Sequence, residues 1–282
     1  MRKFFRNLGI ISLICFSFYF TEKTVTVVRE ADELMIEIKN RQNQYIVKPI
    51  EGIIEKDTFI PGISGKKVNI NKSYQKMKQY GSFNEGLLIY DVEKPQTKLI
   101  DNLDKYIIGG NETKKQVSII LLINNANYLD EALEVLNDNA INVNFFVDGN
   151  WLEDNSDYLT KFISAGHDIG NLSYNLDYQD SSFPWMDNTI KKITNNQNNY
   201  CYATTDSKNT LDICSRYQNY TIRPSIILEN NYLAKIKTSL KAGSIISMPL
   251  SKEVIKVLPT LNNYIKSKGL EVVTLKELIS ED

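Results

Sequence analysis

The sequence predicts an α/β fold for residues 113–282, an incomplete or distorted (β/α) barrel, preceded by a small α+β region and a signal anchor. Apolar strand-like runs alternate with amphipathic helical patterns, which is typical of a parallel sheet with right-handed crossovers. The segment is too short for a complete eight-fold barrel, which needs roughly 250 residues. A basic and then apolar stretch opens the chain, and this indicates export.

The N-terminal segment has the composition of a signal sequence. Arg2, Lys3 and Arg6 precede an apolar run from Leu8 to Phe20. The run is short for a spanning helix, which needs roughly 20 residues, and no small-x-small cleavage pattern follows it. We therefore expect an uncleaved signal anchor over residues 1–22, with a cleaved signal peptide or a cytosolic core helix as alternatives. The basic end stays inside, so the rest of the chain lies outside the cytoplasm.

Residues 23–112 are expected to form a separate extracytoplasmic region. Helical patterns cover 29–41 and 69–81, and the second ends at a glycine. Residues 86–92 read as a strand, and a Pro-Gly pair at 61–62 predicts a turn.

From residue 113 the elements follow one another regularly. The first strand is apolar throughout, as expected when both faces are buried. The helix after it places Leu129, Ala132 and Leu136 on one face. The next helix begins with Asn155 or Ser156 as its cap and stops at a glycine. The predicted strands are 116–123, 141–147, 167–171, 221–228, 244–248 and 270–275, and the predicted helices are 128–139, 155–166, 230–243, 251–269 and 276–280.

Composition excludes some functions. Lys and Arg number 33 against 34 Asp and Glu, so charge gives no reason to expect nucleic acid as a partner. His167 is the single histidine, which excludes a mechanism or metal site that needs two or three. Cys201 and Cys214 lack a metal-binding spacing. The burial tendency of cysteine favours two unpaired thiols, and a disulfide is the alternative.

The stretch from 141 to 175, "INVNFFVDGNWLEDNSDYLTKFISAGHDIGNLSYN", resembles the polysaccharide deacetylase family, also called the NodB-homology domain. The "GHDIGN" segment, the late "AGSIISMPL" and the C-terminal strand–helix–strand are similar to family motifs in the same order. The resemblance covers roughly residues 115–280. It implies an incomplete barrel in which a divalent ion, often zinc, and two acid–base residues remove acetyl groups from N-acetylated glycans.

The same resemblance implies that this chain lacks the residues that carry out the family's deacetylation reaction. The two aspartates of the first family motif fall on Leu122 and Ile123, and the two metal-binding histidines of the second fall on Leu172 and Leu176. The late acid histidine falls on Pro249. The arginine motif falls on 201–205 and is not preserved. We therefore expect no catalytic residues, no metal and no other cofactor, with apolar packing closing the former pocket.

A rebuilt site is the alternative. The candidate ligands on one rim are Asp148, Asp168, Asp177 and Asp180, and a site of carboxylates alone suits Ca²⁺ or Mg²⁺ better than zinc. Solvated loop carboxylates are the simpler interpretation. His167 is expected to be a core histidine with a backbone partner.

Aromatic and amide side chains provide the remaining functional signal. In a sugar-processing fold they are candidates for contact with pyranose rings and hydroxyls, although packing over the barrel end also explains them. The candidates are Asn124, Asn125, Trp151, Tyr174, Tyr178 and Trp185.

Three functional hypotheses follow from the sequence. The first is a membrane-anchored, extracytoplasmic pseudoenzyme that binds a cell-wall glycan or an envelope protein. The second is an active metal-dependent deacetylase with a rebuilt site. The third is a structural partner that docks on a related enzyme through residues 23–112, because a fold alone does not imply an activity.

Overall fold

The computed structural model describes residues 29–123, 125, 127–195, 197, 199–229 and 232–282, together with 11, 16, 17 and 19. Almost all of the predicted signal anchor therefore lies outside the described residues. Within the described part of the chain, no helix combines the length and apolar character needed to cross a membrane.

The described residues form thirteen strands and ten α-helices. The strands are β1 (Ile53–Glu55), β2 (Thr58–Ile60), β3 (Gly65–Val68), β4 (Tyr90–Glu93), β5 (Tyr106–Ile107), β6 (Gln116–Ile123), β7 (Asn144–Val147), β8 (Asp168–Asn171), β9 (Tyr200–Tyr202), β10 (Tyr220–Ile222), β11 (Ile226–Ile227), β12 (Ile245–Pro249) and β13 (Glu271–Val273). The helices are α1 (Glu33–Arg41), α2 (Ile70–Lys78), α3 (Leu129–Asp138), α4 (Gly149–Asn155), α5 (Asp157–Ser164), α6 (Phe183–Ile193), α7 (Lys208–Arg216), α8 (Tyr232–Ser239), α9 (Lys252–Ser267) and α10 (Leu275–Leu278).

The chain divides into two compact units, and the boundary differs from the predicted one near residue 112. Of the described residues, those up to 49 and those at 64–93 form the small unit, and those at 50–63 and from 94 onwards form the large unit. The reason is that β1, β2 and β5, all before residue 112, are strands of the main sheet.

In the small unit, α1 and α2 pack together beside the antiparallel pair of β3 and β4. Asp32 caps α1 by accepting a hydrogen bond from the Leu34 backbone N–H at 2.9 Å, and its second oxygen accepts one from the Tyr74 hydroxyl at 2.9 Å. Its core consists of Leu34, Met35, Ile38, Val68, Tyr74, Met77 and Leu88.

The large unit confirms the predicted incomplete barrel. The strand order is β1-β2-β5-β10-β9-β8-β7-β6-β12-β11, with β13 also paired to β6. Every pair is parallel except β1 with β2. Parallel strands place their carboxyl ends at one edge, so the loops that follow them meet there.

Alternation along β6 separates the two sides of the sheet. Ile119, Leu121 and Ile123 belong to the cluster packed under the helices, whereas Ile120 belongs to the cluster on the inner face, with Leu122 against it. Successive side chains of a strand point to opposite faces, which explains why the run is apolar throughout.

The predicted strand over 221–228 is wrong, because Pro224 separates two strands there. β10 pairs with β5 and β9, whereas β11 pairs with β12 at the far end of the sheet. Proline lacks the N–H that a central strand position requires.

Cys201 and Cys214 form a disulfide, so the favoured expectation of two free thiols is wrong. Cys201 lies in β9 and Cys214 in α7, and their Cα atoms are 6.2 Å apart, a separation that suits a disulfide. Both are fully buried beside Tyr178 and Phe183.

Candidate functional site

A pocket of about 280 Å³ lies at the carboxyl ends of the central strands. The strands are adjacent, because Leu122 of β6 is paired with Phe146 of β7 and with Pro249 of β12. We call it the carboxyl-end pocket. It is lined by Leu122, Asp148, Leu172, Asn175, Leu176 and Pro249.

The walls of this pocket are mostly apolar, but they do not fill it. Leu172 is buried, Leu122 is half-buried, and Leu176 is 41% exposed. Ile123 does not take part, because its side chain is buried on the opposite side of the sheet, under the helices. The expectation that four aliphatic side chains close the pocket is therefore wrong: one points away and one stays open to solvent.

Asp148 is the one ionisable residue among those that line the pocket, and each of its carboxylate oxygens accepts a backbone hydrogen bond. It is 4% exposed and caps α4: its Oδ1 accepts from the Asn150 backbone N–H at 2.9 Å. Its Oδ2 accepts from the Asn175 backbone N–H at 2.6 Å. The carboxylate thus joins the end of β7 to the loop after β8.

That loop has an unusual backbone. Ser173, Asn175 and Leu176 have φ angles of 55°, 52° and 63°, in the left-handed region that residues other than glycine seldom adopt. The turn is held by the Ser173 hydroxyl, which donates to the Asp177 carbonyl at 2.6 Å, and by the Leu176 N–H, which donates to the Leu172 carbonyl at 3.0 Å. The left-handed conformation does not stabilise a leucine, but it places the side chain of Leu176 at the edge of the pocket.

Comparison with known proteins decides the family. A model of the polysaccharide deacetylase family matches residues 110–224. The uncharacterized protein YlxY of Bacillus subtilis (strain 168) is 31% identical over 283 residues, which covers 92% of this chain and 87% of YlxY. The chain belongs to the polysaccharide deacetylase family. It is a divergent member, as its replaced motifs predict.

Solved structures of this family share the fold. The wild-type BA3943 protein of Bacillus anthracis, a CE4 family pseudoenzyme, superposes with a TM-score of 0.67 at 23% identity, covering 89% of this chain and 96% of that chain. Mutants of BA3943 include one with restored enzymatic activity. The Bacillus subtilis family 4 carbohydrate esterase PdaA gives a TM-score of 0.53 at 20% identity, covering 64% of this chain and 87% of that chain.

The donor set of this deacetylase-like pocket does not fit the metal that the family implies. Zinc requires nitrogen, sulfur or carboxylate ligands, and the lining offers one carboxylate that already accepts two backbone hydrogen bonds. Within the described ranges, no group of three or more His, Cys, Asp or Glu residues is placed to hold a metal ion. No chemical step through a metal can be derived from these residues.

The four aspartates considered for a rebuilt site do not gather on one rim. Asp168 begins β8, at the opposite end of the strand from the pocket, and accepts a hydrogen bond from the Lys276 backbone N–H at 2.9 Å. Asp180 forms an ion pair with Arg216 at 2.6 Å. Asp177 accepts a hydrogen bond from the Gln179 side chain. Only Asp148 lines the pocket.

His167 is a core histidine with a backbone partner, as predicted. It is 4% exposed, its Nδ1 accepts from the Val143 backbone N–H at 3.3 Å, and its ring stands edge-on to Phe145 at 5.1 Å between centroids. Burial lowers the pKa of His167 to about 4. It precedes β8 at the amino end, so it is both neutral at pH 7 and remote from the carboxyl-end pocket.

The aromatic candidates separate into buried and accessible residues. Trp151 is 4% exposed and Tyr178 is 2% exposed, so neither presents a ring face to a glycan, and the expectation for these two is wrong. Trp151 packs against Phe162 in the helix layer, and the Tyr178 hydroxyl donates to the Asn171 carbonyl at 2.8 Å. Both residues lie next to predicted loops in the sequence, so no sequence pattern indicated that their side chains pack in the interior.

Three other candidates are accessible. Trp185 is 46% exposed near the start of α6, Tyr174 is half-buried and donates to Glu153 at 2.7 Å, and Asn125 is exposed. Asn124 lies outside the described residues.

One residue of the pocket lining was missed in the sequence. Asn175 lines the pocket and donates its N–H to Asp148. Asparagine tolerates the left-handed region, and that tolerance is the signal that marks this position.

Proposed function

We propose that this protein is a catalytically inactive polysaccharide deacetylase, held at the outer face of the membrane by its N-terminal segment, that binds a cell-wall glycan at the carboxyl-end pocket. The observation that carries the proposal is the lining of that pocket. Leu122, Leu172 and Leu176 stand where the family motifs place metal and base, and the neighbouring Asp148 is already hydrogen-bonded.

Loss of activity follows from the chemistry of amide hydrolysis. The reaction needs a polarised carbonyl, an activated water and a group that donates a proton to the leaving amine. Pro249 stands at the position of the acid histidine and has no proton to donate. His167 is at the other end of β8, where it cannot reach a substrate in the pocket.

Leu176 supports binding at this site. A left-handed backbone costs a residue with a side chain roughly 1–2 kcal/mol, and an aliphatic side chain 41% exposed contributes little burial. Such strain clusters at ligand-binding turns. Leu176 offers apolar surface at the pocket edge for the C–H face of a pyranose ring, and Trp185, exposed near the start of the helix that follows this loop, is the aromatic candidate.

The extracytoplasmic location is supported by the sequence of the N-terminus and by the disulfide. Disulfides persist in oxidising compartments outside the cytoplasm, and Cys201–Cys214 is buried within the large unit. An envelope protein is the other partner class for the same surface, and residues 23–112 remain candidates for contact with such a protein.

Two measurements test the proposal. Acetate release from N-acetylated oligosaccharides, with zinc added, is expected to stay at the background of a protein-free sample, and turnover would contradict inactivity. Retention on purified peptidoglycan is expected for the wild type and reduced in Trp185→Ala and Leu176→Asn. Tyr80→Ala is the matched control, because Tyr80 is 62% exposed in the small unit. Failure of the wild type to bind would leave an envelope protein as the partner.

A further inference from the structure

The first strand of the large unit is an open edge of the main sheet. β1 pairs with β2, and within the described residues no third strand pairs with it. In an antiparallel pair, alternate residues direct their N–H and C=O groups to the partner and the residues between them direct theirs outward. β1 therefore presents free backbone groups to an incoming strand.

The side chains of β1 are apolar and exposed on both faces of the sheet. Ile53 is 50% exposed and Ile54 is 47% exposed, and neighbours on a strand point to opposite faces. Ile50, just before the strand, is 41% exposed. Proteins usually blunt such an edge with proline, lysine, a bulge or a very short strand; β1 contains no proline, lysine or bulge, although it is three residues long and Lys56 follows it.

A second copy of this chain is a poor occupant of the edge. Two-fold antiparallel pairing centred on Ile53 places Glu51 of one copy opposite Glu55 of the other, and pairing centred on Ile54 places Glu51 opposite Asp57 of the other. Like charges directly opposite one another destabilise a strand pair. These acidic residues therefore oppose self-pairing and favour a strand that carries positive charge.

A pocket at the end of β1 also favours a partner with positive charge. Its volume is about 670 Å³, and its lining has three carboxylates, Glu55, Asp57 and Asp206, against two cations, Lys56 and Arg223. Arg223 is paired with Asp206 and lies over the Tyr106 ring. Glu55 and Asp57 form no ion pair within the described part of the chain, so they are available to a basic side chain that enters from the strand edge.

We propose that β1 binds an extended peptide segment of a partner protein, which adds to the sheet as a further strand. Its aliphatic side chains contact Ile53 and Ile54 on the two faces, and a lysine or arginine next to them enters the pocket beside Glu55 and Asp57. Backbone hydrogen bonds supply affinity and the alternate side chains supply specificity, as in other strand additions. This surface is distinct from the carboxyl-end pocket.

The probe is a fluorescent heptapeptide that alternates valine and threonine between lysine ends, added to the full-length protein while anisotropy is measured. Binding that weakens as salt is added is expected, because exposed charges are screened. The same peptide with glutamate ends, or with methylated backbone amides, is expected to bind at least tenfold more weakly.

Two protein variants complete the experiment. Ile53→Lys with Ile54→Lys and Glu55→Lys with Asp57→Lys are each expected to weaken binding at least tenfold, while Glu30→Lys with Glu33→Lys, in the small unit, leaves it unchanged. Circular dichroism shows whether each variant is folded. No binding by the wild type, equal binding by the β1 variants, or a dimer in light scattering that Ile53→Lys with Ile54→Lys abolishes would each overturn the proposal.

Discussion

The Asp148 carboxylate accepts the backbone N–H of Asn175 at 2.6 Å, across the mouth of the carboxyl-end pocket. This bond joins the loop after β7 to the loop after β8. It fixes Asn175, which has a left-handed backbone, and thereby places Leu176, the next residue, at the pocket. The Asp148 carboxylate thus acts as a clamp between the two loops.

Replacement of Asp148 by alanine is expected to lower the free energy of unfolding by about 2.5–4 kcal/mol. It removes a helix cap worth about 1 kcal/mol and a bond to a charged group worth about 1.5–3 kcal/mol. Urea unfolding measures the change. Ser251→Ala is the matched control, because Ser251 caps α9 with one bond and should cost about 1 kcal/mol. Equal losses in the two variants would contradict the clamp.

The part of the site that could be predicted came from periodicity and motif order. The apolar run of β6 indicated a strand buried on both faces, and Leu122, Leu172, Leu176 and Pro249 do meet at one pocket. Ile123 was assigned to the same pocket wrongly. Adjacent residues of a strand face opposite ways, and a motif alignment does not state which of two neighbours faces inward.

Features that depend on packing between distant parts of the chain were not predicted from the sequence. Trp151 and Tyr178 lie among loop-like residues in the sequence, yet the helix layer and β9 bury them. The strands on either side of Pro224 look continuous but lie in distant parts of the sheet. Pro224 was a local signal for the break, because proline cannot fill a central strand position, but no local pattern shows which strands the two halves pair with or that Trp151 and Tyr178 are buried.

His167 makes stability depend on pH. Burial lowers its pKa from 6.5 to about 4, so the unfolded chain takes up a proton before the folded chain does. Its contribution is fully present above pH 6.5 and is lost as the pH falls towards 4, by up to about 3 kcal/mol. Urea unfolding at pH 7 and pH 4 should show a smaller loss in His167→Asn, which keeps an acceptor for Val143.

The pKa itself is directly measurable, because this chain has one histidine. Its imidazole proton resonances are unique in an NMR titration. A midpoint near 6.5 in the folded protein would show that the ring is solvated and that the pH argument is wrong.

The disulfide is expected to contribute about 2–4 kcal/mol to the free energy of unfolding, as is typical for a closed loop of this size. Cys201 and Cys214 are 13 residues apart in the sequence. Reductant should lower the urea midpoint of the wild type and leave Cys201→Ser with Cys214→Ser unaffected. A wild type insensitive to reductant under partly unfolding conditions, or free thiols by mass analysis of the exported protein, would contradict the bond.

Ligands placed at the carboxyl-end pocket should create a metal site. Leu122→Asp with Leu172→His and Leu176→His supplies one oxygen and two nitrogen donors, a set that suits zinc with an open position. Equilibrium dialysis with elemental analysis is expected to show one zinc per chain for the triple variant.

Leu122→Asn with the same two histidines should bind zinc more weakly, because it lacks the carboxylate. Ile123→Asp with the two histidines should bind no zinc and should lose stability, because its charge would be buried under the helices. Zinc in that variant, and none in the first, would show that the strand faces are assigned the wrong way round.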